Sequence, residues 1–144
     1  MIKQQYIYNH NLIYKAEKKT FETSDSFEVM QEAAKACYKF ILKNLKTKKI
    51  LLLCGPGNNG GDGTLIAQGL HKKNFFADIY YPFGRPKTND SKKALSLLSH
   101  KENIKENISF DAYDLIIDAL FGTGFNRNLD PAIISLFNKV NKSQ

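Results

Sequence analysis

KKILLLCGPGNNGGDGTLIAQGL, residues Lys48 to Leu70, is an apolar run that breaks into a glycine-rich segment and then turns helical. Ile50 to Cys54 is the short continuous apolar stretch of a strand buried on both faces, and Gly55, Gly57, Gly60, Gly61 and Gly63 follow at once. Five glycines in nine residues exceed what a plain strand-to-helix turn needs. Lacking a Cβ, glycine reaches positive φ at little cost and lets backbone N–H groups come close to an anion or nucleotide. A helix beginning at Gly63 adds unpaired N–H donors and the positive end of a dipole. The segment therefore reads as a ligand-binding loop, with Asn58, Asn59 and Asp62 as its polar side chains.

Outward from this segment the chain alternates strand and helix. The helix from Gly63 to Lys73 turns Leu65, Ile66 and Leu70 inward, and Ala77 to Tyr81, ADIYY, is a second strand, which makes a βαβ unit with a right-handed crossover. Pro82 ends that strand and 83–89 is loop. Asp90 or Ser91 then caps a helix that runs to about His100 on Ala94, Leu95, Leu97 and Leu98. Asn107 to Phe110 reads as a third short strand and Asp114 to Leu120, DLIIDAL, as a fourth. After the loop Phe121-Gly122-Thr123-Gly124-Phe125-Asn126-Arg127-Asn128, Asp130 caps a last helix with Pro131 at its first position. Upstream, Ser24-Asp25-Ser26 offers caps for a helix whose apolar positions Phe27, Met30, Ala34, Cys37, Ile41 and Leu45 recur at three- and four-residue spacing. Its small residues Ala33, Ala34 and Ala36 suit close packing on a sheet. Residues 1–20 show no sustained period and read as an N-terminal arm docked through Tyr6, Ile7, Tyr8, Leu12, Ile13 and Tyr14; residues 21–144 form one domain.

Composition narrows the function classes. A chain of 144 residues, 42% hydrophobic, has room for one domain with a core. No apolar run is long enough to cross a bilayer and the N-terminus lacks a signal-peptide pattern, so a cytoplasmic protein with no membrane association is expected. Cys37 and Cys54 are unclustered with each other or with His10, His71 and His100, which argues against a zinc site or disulfide framework and for two buried thiols. The net charge of +7 raises nucleic acid as a partner, but Arg85 and Arg127 are the only arginines among 21 basic residues, and the lysines are spread along the chain. No nucleic-acid partner is expected.

In a doubly wound sheet of order 3-2-1-4 the first and fourth strands are neighbours, and ligands bind in the crevice at their carboxyl ends. Topology thus brings the glycine-rich segment and the 121–128 loop to one place. Asp118 would point into this crevice beside Asn59 and Asp62, an oxygen donor set suited to a hard cation, unless its carboxylate serves only to bond local backbone amides. Gly55-x-Gly57-x-x-Gly60 also spells the dinucleotide fingerprint of dehydrogenases, but no acidic residue ends the second strand to hold a ribose, and Gly61-Asp62-Gly63 lengthens the loop.

GPGNNGGDG after an apolar strand, DALFGTG about 60 residues on, and the upstream helix FEVMQEAAKA together resemble the YjeF N-terminal domain family, the NAD(P)H-hydrate epimerases. The resemblance implies a three-layer Rossmann-like sandwich with a mostly parallel sheet. It implies an isomerase that interconverts the R and S epimers of hydrated NADH and NADPH, small-molecule substrates handed on to a dehydratase. By the same resemblance Asn58, Asn59, Gly60, Gly61 and Asp62, together with Gly122, Thr123, Gly124, Phe125, Asn126, Arg127 and Asn128, contact the nucleotide, and Asn59 and Asp118 ligate potassium. Arg127 would meet a phosphate. Asp62 is the candidate acid/base at the hydrated carbon, or else a carboxylate that braces the loop.

The family continues into a further strand with an Asp-Ile-Pro-Ser-Gly motif, absent before Gln144, so the resemblance implies a domain lacking its C-terminal strands. Either the chain is a fragment with impaired activity, or a partner or second copy, as in a homodimer, supplies the strand and covers the apolar edge at 115–117. The other reading is a non-catalytic nucleotide-binding or scaffold module of the same fold.

Overall fold

The structure, a computed structural model, describes residues 8–46, 49–126 and 128–143. Helix α1 (His10–Phe21) and helix α2 (Ser26–Asn44) precede strand β1 (Lys49–Cys54), helix α3 (Asn58–His71) and strand β2 (Phe76–Tyr80). Helix α4 (Asn89–Ser96), a two-residue strand β3 (Ile104–Lys105), strand β4 (Leu115–Ala119) and helix α5 (Pro131–Lys142) complete the order. The strands form one sheet of order β3-β2-β1-β4 with every pair parallel, so β1 is central and Leu52 faces Ile79 on one side and Ile117 on the other.

Because successive side chains leave opposite faces of a strand, β1 feeds two cores. Ile50, Leu52 and Cys54 pack with α2, α3 and α4, whereas Leu51 and Leu53 pack with Leu120 and Leu136 beneath α5. Each fully buried aliphatic side chain of β1 contributes about 1.5–3 kcal/mol, which explains the apolar continuity of the strand. Helices therefore cover both faces, and the fold is the expected three-layer α/β sandwich.

The main departure concerns the glycines. Helix α3 starts at Asn58, five residues earlier than the glycine count suggests, so Gly60, Gly61 and Gly63 are helical. Among the described glycines only Gly84 has positive φ. What the others provide is absence of bulk. A Cβ on Gly60 would run into the carbonyl of Gly55, and one on Gly55 into the carbonyl of Leu120. On Gly63 it would lie 2.7 Å from Cys54 Sγ and 2.8 Å from the Ala119 Cβ, and on Gly61 2.9 Å from Met30 Sδ. Tertiary closeness overrides the poor helix propensity of glycine, which costs about 1 kcal/mol per residue.

Other expectations need correction. The third strand lies at Ile104–Lys105, and the expected 107–110 segment instead leads into a 3-10 turn at Phe110–Ala112. Helix α4 is capped by Thr88 and ends at Ser96, short of His100. Helix α2 buries Phe27, Met30, Ala34 and Ile41, mostly against α3, while Ala33, Ala36 and Cys37 are exposed, so only Cys54 is a buried thiol. The N-terminal segment carries α1, and Tyr8, Leu12, Ile13 and Tyr14 are 44–60% exposed, which contradicts docking through them. Tyr6 and Ile7 lie outside the described residues. Among the described residues no helix is long and apolar enough to cross a membrane.

Gly60→Ala is expected to lower stability by roughly 3 kcal/mol or more in urea unfolding, because its Cβ meets backbone that cannot yield. Gly57→Ala, whose Cβ would meet nothing within 4 Å, should cost about 1 kcal/mol or less. Equal losses would refute the close-approach explanation.

Candidate functional site

Strand β1 ends against the start of α3, and this junction fixes the site. Asp25, Thr88 and Asp130 cap α2, α4 and α5 with their side chains, but Gly57 at the start of α3 has none to offer. The first helical bond runs from Gly61 N to Gly57 O at 3.2 Å. The N–H groups of Asn58, Asn59 and Gly60 therefore precede the hydrogen-bonded ladder and add to the positive end of the helix dipole.

Opposite them lies the chain that leaves β4. A cavity of about 450 Å³ is lined by Pro56 to Asn59 and by Leu120 to Asn126. Phe121 gives it an aromatic wall, stacked on Phe83 at 5.9 Å and tilted against Phe125 at 4.3 Å between ring centroids. The turn closes through Phe125 N donating to Gly122 O at 3.2 Å. A second cavity of about 610 Å³ runs between α2, α3 and the outer side of β4, and holds Asn59, Asp62 and Asp118 together with Cys37 and Phe40. A third, about 420 Å³, places Asn58, Asn59 and Asp62 with Asp90, Gly122, Thr123 and, from α1, Glu17 and Phe21. Asn59 lines all three, so they meet at its side chain.

The two asparagine amides are held in opposite senses. Asn59 Nδ2 donates to the carbonyl of Phe121 at 3.1 Å, which turns its Oδ1 away from that carbonyl as an acceptor. Asn58 Oδ1 accepts from the hydroxyl of Thr88 at 2.6 Å, which leaves its NH2 as a donor. Asp118 Oδ1 accepts from Leu120 N at 2.9 Å, the local backbone bond raised as an alternative above, and its second oxygen is not used in that bond. Asn59 Oδ1 and the Asp118 carboxylate are both hard oxygen donors on one cavity, a set that fits an alkali or alkaline-earth cation. Among the described residues no cluster of three His, Cys, Asp or Glu side chains is placed to hold a metal.

Asp62 follows one turn into α3. Burial pushes its carboxyl up from the ordinary 3.8 to about 6. Of the other candidates, Gly122, Thr123, Gly124, Phe125 and Asn126 line the first cavity with Asn58 and Asn59. Gly60 and Gly61 are buried against Gly55 and Met30. Asn128 is exposed beyond the lining, and Arg127 lies outside the described residues. Asp78, the acidic residue of β2, is bonded to Tyr113 OH at 2.8 Å and to Lys105 Nζ at 3.3 Å, which removes it as a ribose ligand of a dehydrogenase fingerprint.

Sequence reasoning missed Thr88, whose only signal is a hydroxyl residue just before a helix, and missed Glu17 and Phe21, which no spacing links to the crevice. The Asp62 carboxyl should titrate near pH 6 by NMR; a midpoint near 3.8 would contradict its burial. In the unfolded chain the carboxyl titrates near 3.9, so between about pH 4 and 6 the folded state binds more protons and stability falls as pH rises. Asp62→Asn should accordingly stabilise the fold more at pH 7 than at pH 4.

The profile of the YjeF-related protein N-terminus matches residues 26–144. The chain is 42% identical over 109 residues to an NAD(P)H-hydrate epimerase of Plasmodium knowlesi, covering 67% of this chain and 36% of that one. It is 33% identical over 117 residues to an NAD(P)H-hydrate epimerase of Aedes aegypti, covering 75% and 48%. It is also 32% identical over 125 residues to a bifunctional NAD(P)H-hydrate repair enzyme of Dictyoglomus turgidum, covering 78% and 24%. The chain thus spans between a quarter and a half of the length of these relatives. The crystal structure of the yeast protein ynu0 shares the fold at a TM-score of 0.73 and 22% identity, over 97% of this chain and 66% of that one.

Proposed function

The chain belongs to the YjeF-related N-terminal family, and on that premise we propose that it is an isomerase which interconverts the R and S epimers of hydrated NADH and NADPH, a step of nicotinamide-nucleotide repair. The observation that carries the reading is the convergence of an uncapped helix start, two oppositely held asparagine amides and a carboxyl group with a pKa near 6 on one crevice. The N–H groups at 58–60 and the Asn58 NH2 suit the diphosphate or carboxamide oxygens of a dinucleotide. The Phe121 and Phe125 rings suit a flat heterocycle.

Epimerisation loses and remakes the configuration of one hydroxyl-bearing carbon with no net redox change, so a proton must move onto and off the reacting group. An acid/base whose pKa lies near the working pH does this in both directions, and Asp62 at about 6 meets that condition. Its partly buried place one turn inside α3 favours this role over loop bracing. Asn59 and Asp118 hold a potassium ion in this reading. When bound, that ion supplies a fixed positive charge that orients oxygen atoms of the substrate and offsets the Asp118 charge. An S-specific dehydratase is the functional partner, and the cytoplasm is the expected location.

The test follows loss of the R epimer of hydrated NADH while a dehydratase removes the S epimer. The protein should accelerate R loss over the spontaneous rate, with kcat/KM rising through about pH 6 as Asp62 ionises. Asp62→Asn should cost about 10²–10⁴-fold in kcat with little change in binding. A protein that binds NADPH without accelerating R loss is a non-catalytic module, and unchanged turnover in Asp62→Asn removes Asp62 from the chemistry. Replacing potassium by a large organic cation should lower turnover in the parent and have less effect in Asp118→Asn.

A further inference from the structure

We infer that Thr88, at the start of α4, is a positioning residue for nucleotide binding: its hydroxyl fixes the Asn58 amide so that the NH2 faces the crevice and meets an acceptor oxygen of the ligand. This deepens the nucleotide reading above and rests on it.

A hydroxyl has one proton to give, and the surroundings of Thr88 decide where it goes. Thr88 Oγ1 caps α4 by accepting from Ser91 N at 3.3 Å, and the fully buried Ser91 hydroxyl, which donates to Thr88 O at 3.1 Å, offers its oxygen as an acceptor 2.7 Å from Thr88 Oγ1. The single Thr88 proton has two acceptors in reach, Ser91 Oγ at 2.7 Å and Asn58 Oδ1 at 2.6 Å, and the shorter contact is the one to Asn58. The same corner is tied to the β1–α3 connection by Lys87 N donating to Pro56 O at 2.8 Å. Thr88 is therefore held at both ends, by the cap within α4 and by a backbone bond to the segment that carries Asn58.

The consequence is chemical complementarity between two adjacent amides. Asn59, turned by the Phe121 carbonyl, presents an acceptor, and Asn58, turned by Thr88, presents a donor. Reversing Asn58 would present a second amide oxygen to the crevice, which repels a phosphate or carbonyl oxygen. Thr88 touches no ligand in this arrangement and acts through Asn58 alone.

The experiment is a double-mutant cycle on the full chain, with NADPH as the probe in titration calorimetry. Thr88→Val should weaken NADPH about five- to tenfold, the range expected for one misdirected hydrogen bond, and Thr88→Ser should restore it. In an Asn58→Ala background Thr88→Val should have no further effect on affinity while it lowers Tm as before through the lost cap. Thr88→Gly, which removes the hydroxyl with little loss of capping, should reproduce the binding loss if the valine variant fails to fold. A Thr88→Val effect that persists without Asn58, or none in the parent background, overturns the inference. If the parent protein binds no NADPH, the nucleotide reading fails instead, and the side-chain amide of Asn58 still decides the positioning role. Its heteronuclear NOE should fall in Thr88→Val and not in Thr88→Ser, and an unchanged value overturns it.

Discussion

Helix α3 approaches the end of β1 with no Cβ between them at two points, Gly60 against the Gly55 carbonyl and Gly63 beside Cys54 and Ala119, and Gly55 itself lies against the Leu120 carbonyl that follows β4. Everything else about the site depends on this approach. It draws the ends of β1 and β4 and the start of α3 into one corner, where Asn58 and Asn59 emerge beside the loop that leaves β4. A side chain at Gly60 or Gly63 would have to push the helix outward, and a shift of an ångström is enough to separate Asn59 from the Phe121 carbonyl that orients it.

The same closeness sets the electrostatics. An unsatisfied helix start is normally costly to bury, yet at Gly57 no side chain caps it, and the open cavity supplies the space where water or an anionic ligand takes that role. One turn on, the packed surroundings raise the Asp62 carboxyl by desolvation. A helix start that favours anions and a carboxyl group that resists ionisation are therefore two results of one packing arrangement. Neighbouring side chains then refine it, with Thr88 and Phe121 assigning opposite polarity to adjacent amides.

Much of this was legible from residue order. The continuous apolar run at 50–54 marks a strand buried on both faces, and such a strand belongs at the centre of a parallel sheet, where β1 is found. Asp25 and Asp130 were readable as caps because a short acidic side chain precedes each apolar period. The meeting of the two loops followed from strand order alone. The start of α3 was not legible, since local propensity treats Gly60, Gly61 and Gly63 as turn residues while their actual role depends on atoms of Gly55, Met30, Cys54 and Ala119 distant in sequence. Cys37 sits in an apolar period and still faces outward, because α2 packs mainly on α3 and leaves its Ala33–Ala36–Cys37 side over the groove along β4. The two-residue strand β3 is too short for any alternation to announce it.

The dinucleotide-dehydrogenase reading and the epimerase reading share a glycine pattern but differ in where the ligand is gripped. A dehydrogenase holds the ribose with an acidic residue at the end of β2, which here ends in Tyr80, and Asp78 in the middle of that strand is committed to Tyr113 and Lys105. The present account puts the nucleotide between α3 and the loop after β4. Titration of the 15N-labelled protein with NADPH tests this most directly. Backbone amide shifts should concentrate at Gly57 to Asn59 and at Gly122 to Asn126, with saturation at a common affinity. Shifts confined to β2 and β3, or none at millimolar nucleotide, would contradict it.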